Sequence, residues 1–163
     1  MPSQRKKRTL ILFLVSALLL IPTGLLFTTP GRLLILNWNE AQWQRQALRH
    51  YRYTFKNVSF ANANANALYE VVIEVDDDQT LSMTRKSDGT AVRMALFQDD
   101  NTIPKLFQKL HAMVEHNPRT YLAQYQPQTG IPVYVNIDFS STTTDDGYVL
   151  TVTDFQVLSE ADQ

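Results

Sequence analysis

Asp138, Asp145 and Asp146 are the residues of this chain whose types and spacing come nearest to chemistry. Around one hairpin loop the three carboxylates could converge. Paired carboxylates pass protons or take a hard cation such as calcium, which leaves a carboxylate-dependent hydrolase as an alternative reading. Ordinary turn preference accounts for the same residues, with Asp138 facing solvent from a strand and Asp145-Asp146-Gly147 forming a turn. Asp76-Asp77-Asp78 poses the same choice. A calcium loop of the EF-hand type needs spaced ligands, a glycine and a distal Glu; these are missing, so a solvated turn is expected. His111 and Glu115 stand four apart with His116 adjacent. Zinc needs a third ligand, and no His-Glu-x-x-His occurs. The expectation is a solvent-facing helix end, where His also suits the C-terminal dipole. The chain has no cysteine and only five glycines. It holds no thiol nucleophile, no Gly-x-Ser-x-Gly elbow and no glycine-rich phosphate loop. The expectation is therefore a non-catalytic domain without cofactor or metal.

What positions these residues begins with a membrane signal. Arg5, Lys6, Lys7 and Arg8 precede Thr9–Phe27, a run without charge that is rich in Leu and Ile. About 20 apolar residues cross a bilayer as a helix, and the basic cluster should hold the N-terminus in the cytoplasm. No Ala-x-Ala cleavage pattern follows, so a retained signal anchor is expected. Residues 1–8 then form a cytoplasmic tail, 9–27 the anchor, 28–39 a juxtamembrane linker and 40–163 a domain outside the cytoplasm, periplasmic or extracellular. Removing the four basic tail residues from the 15 Lys and Arg leaves 11 against 16 Asp and Glu. An acidic outer domain has no electrostatic footprint for nucleic acid.

Along the outer segment, Leu33–Leu36 continues the membrane segment or rests on its interface. Trp38 and Trp43 suit headgroup depth, with a core contact the favoured reading for Trp43. Asn39 is a plausible cap for a helix Glu40–His50, with Trp43, Ala47 and Tyr51 on one face. Tyr51–Phe55 alternates as a strand with Tyr51, Tyr53 and Phe55 on one face. The repeat Ala61–Ala67 reads as an exposed loop, and Asn57-Val58-Ser59 is a glycosylation sequon. Leu68–Val75 and Thr80–Arg85 form a hairpin, followed by a turn at Ser87-Asp88-Gly89-Thr90.

Ile103, Leu106, Phe107, Leu110, Met113 and Val114 make one stripe of a helix over Thr102–His116, with Pro104 in its first turn. Strands Tyr121–Tyr125, Pro132–Phe139 and Tyr148–Val157 follow. In the middle one Val133, Val135, Ile137 and Phe139 share a face opposite Tyr134, Asn136 and Asp138. The fold class is α+β: a short helix and a mostly antiparallel sheet of about six strands with a second amphipathic helix on one face.

Tyr125-Gln126-Pro127-x-x-Gly130-Ile131-Pro132, Ile137-Asp138, Asp145-Asp146 and Val152-Thr153-Asp154-Phe155 resemble the signature of the bacterial family catalogued as domain of unknown function 6174. There the pattern runs Tyr-Asp-Pro-x-x-Gly-Tyr-Pro, Ile-Asp-Tyr, an acidic pair and a final Tyr-x-Val-x-Asp-Phe strand. An early Tyr-x-Tyr strand is matched by Tyr51 and Tyr53, and a central Leu-Phe by Leu106-Phe107. The resemblance covers roughly Trp43 to Val157. Gln126 replaces the usual Asp, Ile131 the aromatic and Gly147 the usual Glu. Many members carry a lipoprotein signal and a cysteine pair, and this chain has neither. The resemblance implies a small, exported, membrane-tethered domain with no established activity. It also implies that Asp138 and Asp154 hold loops by hydrogen bonds. An envelope or membrane protein is the expected partner, bound at an edge strand or at an aromatic face around Tyr51, Tyr53 and Tyr134. Carriage of a small apolar ligand between sheet and helix is a further alternative.

Overall fold

The computed structural model describes residues 28–59, 70–140, 142 and 147–159. Thr9–Phe27 with its basic tail, the Ala61–Ala67 repeat, Asp145 and Asp146 lie outside those residues. Among the described residues no helix is long and apolar enough to cross a membrane.

The first helix, α1, is Thr29–Arg45. It starts well before the expected cap at Asn39, and the segment expected as a linker is helical from Thr29 on. The reason is local. The Thr28 hydroxyl accepts from the Gly31 amide at 3.4 Å and Pro30 occupies the first turn, a strong start signal. Asn39 sits inside the helix and donates its side-chain amide to the Ile35 carbonyl at 2.8 Å. α1 ends at Arg45, and Ala47 has a φ of +49°. Trp43, Ala47 and Tyr51 therefore do not share a helix face as expected, although Trp43 is buried against the core.

Six strands form one antiparallel sheet in the order β3-β2-β1-β6-β5-β4. They are β1 (Tyr51–Ser59), β2 (Val71–Asp76), β3 (Gln79–Arg85), β4 (Thr120–Tyr125), β5 (Pro132–Asp138) and β6 (Tyr148–Val157). Two three-strand meanders thus join through β1 and β6 at the centre. The three adjacent carboxylates serve the β2–β3 turn. Asp76 pairs with Gln79, while Asp77 and Asp78 take φ of +47° and +62°, the two-residue turn that matches the twist of a hairpin.

The second helix, α2, is Ile103–Glu115, capped by Thr102, whose hydroxyl accepts from the Lys105 amide at 3.4 Å. Ile103, Leu106, Phe107, Leu110 and Val114 are fully buried, as the stripe predicts. Both helices meet the sheet face that carries Tyr51: Trp43 of α1 packs edge-on to its ring at 5.2 Å, and the Ile103 amide of α2 donates to its hydroxyl at 3.3 Å. Val135 and Ile137 point to that face, Val133 is half-buried, and Phe139 lies past the strand end and is exposed.

Candidate functional site

The motif turn Gln126–Gly130 between β4 and β5 is the seat of α1. The Gln126 amide donates to the Ile131 carbonyl and the Gly130 amide to the Gln126 carbonyl, both at 2.8 Å. Gln42 of α1 donates to the Pro127 carbonyl, and Gln46 to the Gln128 carbonyl at 3.0 Å. Gly130 has φ of +76°, and a Cβ there would strike the Asn39 carbonyl of α1. Ile131 and Pro132 are buried beneath. At the other end of α1, the Thr29 hydroxyl donates to Asn117 Oδ1 at 2.7 Å and Arg32 to the Pro118 carbonyl at 2.8 Å. The Arg32 guanidinium also lies 5.8 Å from the Tyr121 ring centre, and Tyr121 shares a 2.9 Å hydroxyl contact with Tyr125. Pro127 and Gly130 therefore meet α1 directly, and Tyr125 and Pro132 flank the same turn.

Tyr51 and Tyr53 are fully buried. Trp43, Tyr51 and Phe155 meet within 6 Å of one another, with centroid separations of 5.2, 5.8 and 5.8 Å. Burial pushes both phenols well above their ordinary value. The expected aromatic face does not exist, because Tyr51 and Tyr53 lie under the helices while Tyr134, paired with Thr151, occupies the opposite side of the sheet. Sequence alternation placed each residue within its strand correctly but does not say which side the helices cover.

Asp154 is a strand staple. Its φ is +52°, and it sits where the β1–β6 register shifts between Arg52 and Thr54, a β-bulge. Its carboxylate accepts from the Thr54 hydroxyl and from Lys86 Nζ, both at 2.9 Å. Lys86 also meets Glu70 at 3.3 Å. The Lys86 bond, then the Thr54 bond, hold the Asp154 carboxyl below its usual 3.8. Asp154, then Glu70, hold Lys86 above its usual 10.5. A depressed acid contributes stability above 3.8 that is lost as pH falls through the folded value; a raised base contributes below 10.5 and loses it as pH rises. Asp154→Asn keeps a residue tolerant of positive φ but removes the charge. Its stability deficit relative to the parent, read from urea midpoints at several pH values, should be largest near neutrality and shrink below 3.8. A deficit independent of pH would show that Asp154 acts by conformation alone.

One cluster has no signal in the sequence. Asp100 is 5% exposed, and its carboxylate accepts from Lys109 Nζ at 2.6 Å and from Asn57 Nδ2 at 2.9 Å. Lys109 Nζ stands 4.5 Å above the Tyr148 ring, and the Tyr53 hydroxyl donates to the Asp100 carbonyl at 3.5 Å. Among the described residues, Asn57 Oδ1 is buried without a hydrogen-bond partner. Burial and the Asp100 charge keep the Tyr148 phenol protonated. The sequon residue Asn57 thus has its amide engaged inside the fold.

His111 pairs with Glu40 of α1 at 2.7 Å, not with Glu115, so the expected solvent-facing histidine ties the two helices together. Nearby, a cleft of about 360 Å³ opens between the end of α1 and the β2–β3 turn, lined in part by Glu40, Arg49, Asp77 and Pro104. Three of its charged residues are engaged: Glu40 by His111, and Arg49 with Asp77 at 3.2 Å. A histidine–carboxylate pair is the base-and-orienter half of a hydrolytic site, which also needs a nucleophile. Among the described residues no hydroxyl is hydrogen-bonded to His111. Asp138 accepts from the Ser140 amide at 3.2 Å. Among the described residues no three His, Asp or Glu side chains gather to hold a metal ion. Phe107 and Leu110, fully buried, fill the space between sheet and helix that an apolar ligand would need.

Two uncovered surfaces remain. β3 is partly shielded along its outer edge: Thr84 bridges Ala91, and the Val92 amide donates to the Met83 carbonyl at 2.9 Å. Among the described residues β4 pairs only with β5, and its exposed side includes Leu122 at 49%. The second surface is the outward side of α1. In comparison with known proteins, the family described as Family of unknown function (DUF6174) matches residues 35–157, from within α1 to the end of β6. Neither the curated proteins nor the solved structures gave a match.

Proposed function

The chain belongs to the family of unknown function DUF6174, and from that premise we propose a non-catalytic binding or accessory domain, held outside the cytoplasm by Thr9–Phe27. The anchor is supported by the charge-free run and its basic flank. Binding is supported above all by the edge of β4 that has no partner strand among the described residues. An unpaired edge offers a row of backbone donors and acceptors. An extended segment of an envelope or membrane protein would add there as a seventh strand, its side chains selected by contacts on alternate sides. The polar groups described above hold the fold together, which leaves the surface to carry recognition.

Topology is tested by protease treatment of membrane vesicles with the cytoplasmic side outward. The domain should survive until the vesicles are opened; its digestion in sealed vesicles would refute the orientation. A photo-crosslinker at position 122 should capture one membrane or envelope protein that the same group at Asp88, in the exposed turn after β3, does not. Equal capture from both positions would remove the edge-strand reading.

A further inference from the structure

α1 is apolar on two sides. Leu36 and Trp43 are buried and Leu33 half-buried against the core. Leu34, Ile35 and Trp38 are 63%, 36% and 67% exposed. Their spacing puts them together on the outward side of the helix. The inner apolar side is covered by the core, yet no described residue covers this outer one. Single exposed apolar residues elsewhere, such as Leu81, are ordinary; a contiguous group calls for an occupant.

We propose that Leu34, Ile35 and Trp38 dock in the interfacial layer of the bilayer, so that α1 lies along the membrane surface and the sheet stands on its other side. This rests on the anchor reading above. The first support is position. The apolar run ends at Phe27, next to the cap at Thr28, and the three residues lie roughly 10 to 15 Å along the helix from Thr28. The second is direction. Thr28 is extended, with φ −82° and ψ 160°, so the backbone is not helical at the residue that leads into α1, and the chain can change direction there. The third is residue type. Trp settles at headgroup depth with Leu and Ile reaching the acyl boundary. The Arg45 guanidinium stands 5.9 Å from the Trp38 ring centre, and Glu40, the one acid of α1, is engaged by His111. Negative charge on α1 therefore does not oppose an anionic surface.

The consequence is orientation. α1 is pinned at Asn117 and Pro118 and again on the Gln126–Gly130 turn, so docking α1 orients the whole domain. β4 starts at Thr120, next to that pinned end, and its edge is then presented beside the membrane surface.

The absence of native cysteine makes the test direct. Leu34→Cys in the full chain is labelled with a polarity-sensitive fluorophore and reconstituted into phosphatidylcholine–phosphatidylglycerol vesicles; Asp88→Cys is the control. Acyl-chain-brominated lipid should quench the label at 34 by more than half and leave the label at 88 unchanged. The Trp43→Phe chain, in which Trp38 is the only tryptophan, should show the same quenching without a label. A chain that does not float with the vesicles removes the anchor and this proposal with it. If the chain floats, a label at 34 open to a water-soluble quencher removes the docking alone. If the label is shielded from both quenchers, protein covers the stripe, which overturns the proposal in favour of a second copy or a partner.

Discussion

Gly130→Ala should destabilise the domain by on the order of 3 kcal/mol and lower its melting temperature by roughly 10 °C. Two costs add at this position. The φ of +76° is a left-handed conformation that costs a residue with a Cβ about 1–2 kcal/mol. The new methyl also meets the Asn39 carbonyl of α1, and backbone cannot rotate aside as a side chain would, so helix or turn must shift. That shift breaks the Gln42 and Gln46 contacts with the turn. Gly89→Ala is the internal control, because its φ is +70° but nothing lies within 4 Å. It should cost about 1 kcal/mol, the conformational share alone. Thermal unfolding of the two variants side by side decides the matter. Equal losses would mean that the close approach of turn and helix contributes nothing.

Lys109→Met should cost about 3–5 kcal/mol, more than Asp100→Ala, because breaking a buried ion pair strands whichever charge stays behind. The two ends are not equivalent. The Lys109 side chain is 25% exposed and the Asp100 side chain 6%. A lysine left alone can reach water along its flexible stem; the carboxylate left alone stays buried with neutral donors such as Asn57 and no countercharge. The double variant Asp100→Leu/Lys109→Met replaces both charges with apolar bulk and should be no less stable than Lys109→Met alone, since apolar replacements of buried pairs are often neutral. Urea unfolding of the parent, Asp100→Leu, Lys109→Met and the double variant gives the coupling energy directly. Simple additivity would show that the 2.6 Å pair is not an energetic unit.

The elements that sequence reasoning located correctly share one property: their signal is local. α2 shows an apolar repeat with Thr102 and Pro104 at its start, and of that repeat all but the half-buried Met113 are buried. The β2–β3 hairpin announces itself by Asp77 and Asp78, which tolerate the positive φ that the turn requires. α1 was misplaced because its pattern serves two environments. Leu36 and Trp43 face the core while Leu34, Ile35 and Trp38 face outward, so no single-sided repeat is visible and Asn39 passed for a start. The motif residues around Gly130 stood out, but their purpose did not: it lies in the Asn39 carbonyl, far away in the chain.

By itself the sequence determined the α+β class, the strand alternation, the α2 stripe and the charge-free run Thr9–Phe27, because propensity, periodicity and capping act over a few residues. Only the tertiary structure decided which sheet face is covered, and it buried Tyr51 and Tyr53 where an open aromatic surface was expected. It alone gathered Asn57, Asp100, Lys109 and Tyr148 from two strands, a helix and its lead-in. It also turned His111 to Glu40 rather than Glu115. These contacts join residues remote in the chain, and the free energy of each depends on burial and on a partner that no local pattern encodes.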